Sequence, residues 1–217
     1  MSKLNVPLAV FGCSWANGHG VNYDQTFGYC LSKKLSSSCY TNMSIDGSSN
    51  SRTVLQLMEY IKRKDIVLPG SIAIFSITTM ARDCALVFNR STKTFDIKDL
   101  ISGNSSLESQ CYISHFSSVE NLKFNLQKNI LSLQSICRAN DIYDYYIDAW
   151  SCEDFDMPGI DQAKIFNKSC IELFGFKNTQ HYLDTYPNQC IRDCGHPSVY
   201  GHQVIADALY SWIVATI

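Results

Sequence analysis

In the stretch LAVFGCSWANGHGV, residues 8 to 21, an apolar run stops against Gly12-Cys13-Ser14, and near the far end IRDCGHPSVYGH sets Asp193 three residues before His196. A serine hydroxyl is a weak nucleophile until a neighbouring base takes its proton, and the base works best when a third group fixes its ring. Five histidines are available: His19, His115, His181, His196 and His202. His196 stands out because it lies in a loop marked by glycine and proline that leads into the last helical stretch. The Asp-x-x-His spacing lets the Asp193 carboxylate reach one ring nitrogen and leaves the other free to face Ser14. Acyl transfer is the chemistry such a set performs. A plainer reading stands beside it, in which Ser14 caps a helix, Asp193 caps a turn and His196 is a surface loop residue.

Other readings of the opening stretch fit less well. A phosphate loop counted from Gly12 finds Asn17 where its second glycine belongs and no lysine behind it, and a dinucleotide fingerprint counted from Gly18 finds Tyr23 in place of its last glycine. Asn5 and Pro7 break the run too early for a secretory leader, and no window approaches the roughly 20 apolar residues of a membrane span. Thiol chemistry at Cys13 is disfavoured because its side chain should point away from that of Ser14. The ten cysteines are scattered, with no Cys-x-x-Cys pair, and Cys190, Cys194 and His196 lack the matching second pair of a zinc site. Reduced thiols in a cytoplasmic protein are the expectation.

The positioning elements follow from periodicity. With 217 residues, 46% hydrophobic and 18% charged, the chain reads as one domain over residues 1–217 that buries roughly 70% of its unfolded surface. A net charge of -2 offers no field for nucleic acid or anionic lipid. Apolar runs at 6–13 and 71–79 read as strands, the latter rich in β-branched residues, and further strands are expected over 39–45 and 144–150. Between them, Phe27, Leu31 and Leu35, then Val54, Leu57, Met58 and Ile61, then Leu122, Leu126, Ile130, Leu133 and Cys137 recur at helical spacing, and a terminal helix runs over 200–215. Asp46 to Asn50 is a turn cluster with N-cap character. A hairpin over 85–97 and a polar loop over 102–110 form an insertion. Alternating strand and helix predicts an α/β protein, a three-layer α/β/α sandwich around a flavodoxin-like parallel sheet, with ligands bound where the strands end. Those ends are Gly12 to Ser14, Ser44 to Asn50 and Ser76 to Arg82.

A Gly-x-Ser after the first strand, a turn glycine after the second and an Asp-x-x-His-Pro before the last helix together resemble the SGNH hydrolases, also called the GDSL esterase/lipase family. The resemblance implies that Ser14 is the nucleophile, that Asp193 and His196 complete a triad, and that Gly47 in SIDGSSNSRT gives a backbone N–H to the oxyanion hole. The family's usual Gly-Asp-Ser is Gly12-Cys13-Ser14 here, and the asparagine it places after the third strand is missing from FSITTMARD. Thr78 holds that position, with Asn50 and Arg82 as alternative donors to the same site. Losing one oxyanion donor costs on the order of 10²–10³ in turnover. The implied function is hydrolysis of a small-molecule or glycan ester, an O-acetyl or other short acyl group on a polar carrier, with no metal and no organic cofactor. Trp15, Asn17, His19, Asn50 and Arg82 would rim the site. The alternative is a non-catalytic binding or scaffold protein of the same layer order. Ala16 at the last place of Gly-x-Ser-x-Gly disfavours the α/β-hydrolase elbow.

Overall fold

The first strand, β1 (Leu8–Phe11), is buried throughout, and its side chains divide by the two-residue period of an extended chain. Leu8 and Val10 enter one apolar cluster, Ala9 and Phe11 another. A strand apolar on both faces needs cover on both, which is the mark of a parallel sheet between helices. In this computed structural model, residues 5–63, 69–89, 93–101, 107–116, 118–150 and 155–216 are described.

From β1 the chain runs through α1 (Ser14–Asn17) and α2 (Phe27–Leu35) to β2 (Tyr40–Asn42), then through α3 (Asn50–Lys62) to β3 (Ile72–Ile77). A hairpin, β4 (Arg82–Asn89) and β5 (Thr94–Ile101), precedes α4 (Leu107–Phe116) and α5 (Val119–Ala139). β6 (Tyr143–Asp148), two short helices, α6 (Cys170–Leu173) and α7 (Thr179–Thr185), and the terminal α8 (Val199–Thr216) complete the order. The central sheet is parallel with strand order β2-β1-β3-β6. The chain leaves β1 for β2 on one side and then returns past it to β3 on the other. The crevice between the carboxyl ends of β1 and β3 is therefore the switch point where such sheets bind ligands.

The two crossovers travel in opposite directions, so right-handed connections put α2 and α3 on opposite faces. Phe27, Leu31 and Leu35 of α2 and Ile205, Leu209 and Ile213 of α8 cover Leu8, Val10, Ile72, Ile74 and Ile147. Leu57 and Tyr60 of α3 and Leu126, Ile130, Leu133 and Cys137 of α5 cover Ala9, Phe11, Ala73, Phe75 and Tyr146. The helix starts are fixed by hydroxyl caps: Thr26 accepts from the Tyr29 amide, Ser49 from Arg52 and Ser118 from Asn121.

The expected elements are present with shifted bounds. The expected second strand is trimmed to Tyr40–Asn42, but its backbone stays tied to β1 through Met43 N–H to the Val10 carbonyl and Ile45 N–H to the Gly12 carbonyl. The hairpin is longer than expected and antiparallel, pairing Arg82 with Ile101 and Asn89 with Thr94. Of the expected polar loop, residues 102–106 lie outside the described residues, and residues 107–110 form the start of α4. The nine cysteines among the described residues are all free. No described helix is long and apolar enough to cross a membrane.

Candidate active site

Gly12 ends β1 with a φ of 146°, and a Cβ there would sit 2.7 Å from the Ser76 carbonyl oxygen of β3. Only glycine fits this approach. The buried carboxamide of Gln56, on α3, clamps this residue from both sides: Oε1 accepts from the Gly12 N–H at 3.2 Å, while Nε2 donates to the Gly12 carbonyl at 3.4 Å and to Ser48 Oγ at 3.0 Å. The chain thus turns sharply at the strand end and enters α1 with Ser14 as its first helical residue. A residue at that position has no intrahelical acceptor for its N–H.

The structure brings Ser14 and His196 together across 182 positions of sequence, with His196 Nε2 3.0 Å from Ser14 Oγ. The other ring nitrogen, Nδ1, lies 3.1 Å from the Cys194 carbonyl oxygen. A carbonyl only accepts, so Nδ1 carries the hydrogen and Nε2 presents its lone pair to the serine O–H. That is the tautomer a general base requires. Burial, His19 and Arg192 push the His196 ring down, Cys194 and Asp46 pull it up, and the balance leaves it below its ordinary 6.5. The ring is neutral at pH 7.

The histidine loop is tied at several points. Arg192 N–H bonds the His196 carbonyl, Gly195 N–H bonds the Arg192 carbonyl, and Ser198 N–H bonds the Cys190 carbonyl. Tyr182 of α7 donates its hydroxyl to the Gly195 carbonyl at 2.7 Å. The turn from Arg192 to Gly195 leaves Asp193 exposed at its corner. Here geometry departs from the expected triad, because the partner of Nδ1 is the Cys194 carbonyl and not the Asp193 carboxylate. The carboxylate on the Ser14 side is Asp46. Its Oδ1 accepts from Asn17 Nδ2 at 2.8 Å and its Oδ2 lies 2.8 Å from His19 Nδ1, while the His19 and His196 rings stand 4.6 Å apart.

The remaining expected residues divide. Gly47, with φ of 75°, lies in the turn that Ile45 N–H pins to the Gly12 carbonyl, at the mouth of β1. Asn50 is 2% exposed and turned onto the end of β3: its Oδ1 accepts from the Thr78 N–H at 2.9 Å and one N–H of its Nδ2 donates to the Thr78 carbonyl at 2.8 Å. The Thr78 hydroxyl is buried and without a hydrogen-bond partner. Arg82 opens β4 with a buried Nη1 that has no hydrogen-bond partner. The carboxylate of Asp83 is occupied by Ser51, Asn125 and the Cys84 N–H. Trp15 is buried against Trp150, Phe174 and Tyr182 and does not rim the site. Among the described residues no three His, Cys, Asp or Glu side chains group so as to hold a metal ion. Gln56 and Tyr182 were not singled out from sequence. No sequence pattern marks Gln56, whose helical neighbours are Arg52, Thr53, Glu59 and Tyr60.

Neither a protein-family model nor a curated protein sequence matches the chain. Solved structures do. A lipolytic G-D-S-L family protein from Veillonella parvula aligns with 13% identity over 95% of this chain and 97% of its own, at a TM-score of 0.53. The psychrotrophic esterase EstA from Pseudoalteromonas sp. aligns with 12% identity over 97% of both chains, at 0.54. A carbohydrate esterase whose active site displays divergent catalytic and non-catalytic binding functions aligns with 13% identity over 99% of this chain and 70% of its own, at 0.52. At such identity the likeness is one of fold. With the parallel sheet, its flanking helices and the place of Ser14 and His196 within it, the chain has the fold of the SGNH, or GDSL, hydrolases.

Proposed function

We propose that the protein hydrolyses a short acyl ester, an O-acetyl group on a polar carrier such as a sugar, with Ser14 as nucleophile and His196 as general base. The observation that carries this reading is the 3.0 Å contact between Ser14 Oγ and the unprotonated Nε2 of His196. As Oγ attacks the ester carbonyl, Nε2 takes its proton; the backbone N–H groups of Ser14 and Gly47 receive the oxyanion of the tetrahedral intermediate. His196 then returns the proton to the leaving alcohol, and an acyl-enzyme remains on Ser14. Water, deprotonated by the same nitrogen, attacks the acyl carbon and releases the carboxylic acid. The Cys194 carbonyl holds the ring in this tautomer throughout.

The polar rim formed by Asn17, His19 and Asp46 favours a hydroxylated carrier over a long lipid. The G-D-S-L protein and esterases of like fold support the reaction class. A second reading, ligand binding without turnover, draws on one observation: Asn50 is turned onto the backbone of Thr78 and the Thr78 hydroxyl is buried, so the family's asparagine donor has no exposed counterpart in these two residues. A fluorophosphonate probe separates the two. Labelling that disappears in Ser14→Ala and survives in Ser49→Ala, with p-nitrophenyl acetate hydrolysis that falls to background in His196→Ala, supports the esterase. No labelling and no hydrolysis above the His196→Ala background supports the binding protein.

A further inference from the structure

We propose that Asp46, held by Asn17 and His19, is the carboxylate that stabilises the charged form of His196, the part the resemblance gives to Asp193. Three observations lead there. The Nδ1 position of His196 is filled by the Cys194 carbonyl, and Asp193 is exposed on the outside of its turn. Asp46 is fixed from two sides at 2.8 Å, by donors that both belong to the turn Ser14 opens. His19 joins the pieces: its N–H bonds the Ser14 carbonyl at 3.0 Å, its own carbonyl accepts from Arg192 Nη1 at 3.2 Å, and its ring lies against that of His196.

The chemistry asks for a negative charge here. When Nε2 accepts the serine proton, His196 becomes an imidazolium whose Nδ1–H meets only a neutral carbonyl. The nearest fixed cation, Arg192, opposes that charge, as does His19 whenever it is protonated. Asp46 opposes Arg192. Burial raises the Asp46 carboxyl, but the hydrogen bonds from Asn17 and His19 and the fields of His19 and His196 outweigh it and keep the group ionised. The remaining groups about His196 are the Ser14 hydroxyl, the exposed Cys194 and Asp193, and His202 on α8, which is itself buried and neutral. Asp46 acts on the base through space and through the ring of His19, so it is a positioning residue and touches no reacting atom. Its side chain is 47% exposed, so water screens the effect to a fraction of the 10²–10⁴ that a placed general base brings, about tenfold in kcat.

The kinetic part rests on the esterase reading; the titration part does not. The full-length protein, labelled with ¹³C-histidine, is titrated by following the Cε1–H resonance of His196, assigned by its loss in His196→Ala. In Asp46→Asn the midpoint moves to lower pH than in the wild type, and in Asp193→Asn it stays where it was. Alongside, kcat on p-nitrophenyl acetate falls about tenfold in Asp46→Asn with little change in KM, while Asp193→Asn retains wild-type kcat. Both side chains are at the surface, and a wild-type thermal melt checks that each variant folds. A midpoint unmoved by Asp46→Asn, or moved at least as far by Asp193→Asn, overturns the assignment. Were the wild type to hydrolyse nothing, the esterase reading would fall and the titration would still decide between the two carboxylates.

Discussion

His202 provides the sharpest test of the packing beneath the site. It lies on α8, the helix that follows the His196 loop, is wholly buried, accepts the Phe27 N–H on Nδ1 at 3.2 Å and stacks near the Phe27 ring. Burial, with a smaller contribution from His196, holds it down to about 4. A histidine depressed from 6.5 favours the neutral fold, so its contribution is complete above pH 6.5. It is lost as pH falls through about 4, where the folded protein finally takes the proton the unfolded chain accepted earlier. At 1.36 kcal/mol per pH unit, the change from 6.5 to about 4 amounts to about 3 kcal/mol, a large share of the 5–15 kcal/mol that holds a typical domain together. Protonation would also set an N–H against the Phe27 N–H, two donors with nothing between them. Urea unfolding at pH 7.0, 5.5 and 4.5 measures this in the wild type and in His202→Asn, whose Oδ1 can still accept from Phe27. The wild type should lose about 2–3 kcal/mol across that range and the variant markedly less, though the variant starts lower. The depressed carboxyls of Asp46 and Asp207 titrate beneath this window, and the His196 contribution is common to both proteins. Parallel stability curves would refute the reasoning.

Three further outcomes follow from the same contacts. Gln56→Leu strands the buried Gly12 N–H, since the Gly12 carbonyl keeps its bond from Ile45; a loss of about 1–3 kcal/mol in denaturant unfolding is expected, with hydrolysis falling further than the lost stability explains. Tyr182→Phe removes the hydroxyl that holds Gly195 and should cost about 1 kcal/mol while lowering kcat, read by thermal melts and ester hydrolysis together. Because the proposed base, His196, sits below 6.5, kcat/KM should rise through an inflection below pH 6.5 and be level by pH 7; an inflection above 6.5 would contradict the burial and cation effects assigned to it.

Much of this arrangement was legible in the sequence, for reasons that can be traced. Strands buried on both faces need unbroken apolar runs, so β1 and β3 announced themselves, and α5 did so through five apolar residues at one period. Ser14 and His196 were legible because a strand end and a loop marked by glycine and proline limit where their side chains can go. The expected Asp193 contact is not the one that His196 Nδ1 makes, because spacing fixes reach and not partner: the same turn also brings the Cys194 carbonyl to that nitrogen. Asn50 was misread for a related reason. A polar residue in a first helical turn usually faces water, yet here the end of β3 closes over it and uses both ends of its amide. The helices α6 and α7, of 4 and 7 residues, are too short for a period to show. The pairing of Ser14 with His196 across 182 positions was expected from chemistry and resemblance and not from any local pattern, and the His19–Asp46 link, which had neither behind it, was not foreseen.

The accuracy of the Ser14–His196 contact has to come from somewhere other than a carboxylate anchor, and the aromatic residues beneath it supply the means. Trp15, next to the serine, is buried against Tyr182, with ring centroids 6.1 Å apart; Tyr182 in turn bonds the carbonyl of Gly195, next to the histidine. Trp150, at the end of β6, packs on both rings, at 4.8 Å from Trp15 and 5.6 Å from Tyr182. Ser14 and His196 are thus each tied to one close-packed cluster, and such clusters shift as a unit because their rings leave no room for one to move alone. A backbone carbonyl can then replace a carboxylate as the orienting partner of the imidazole: it needs only to fix the tautomer, since the position of the ring is already set by the packing. The charge it fails to provide is left to a group outside the turn, which is the physical reason for looking to Asp46.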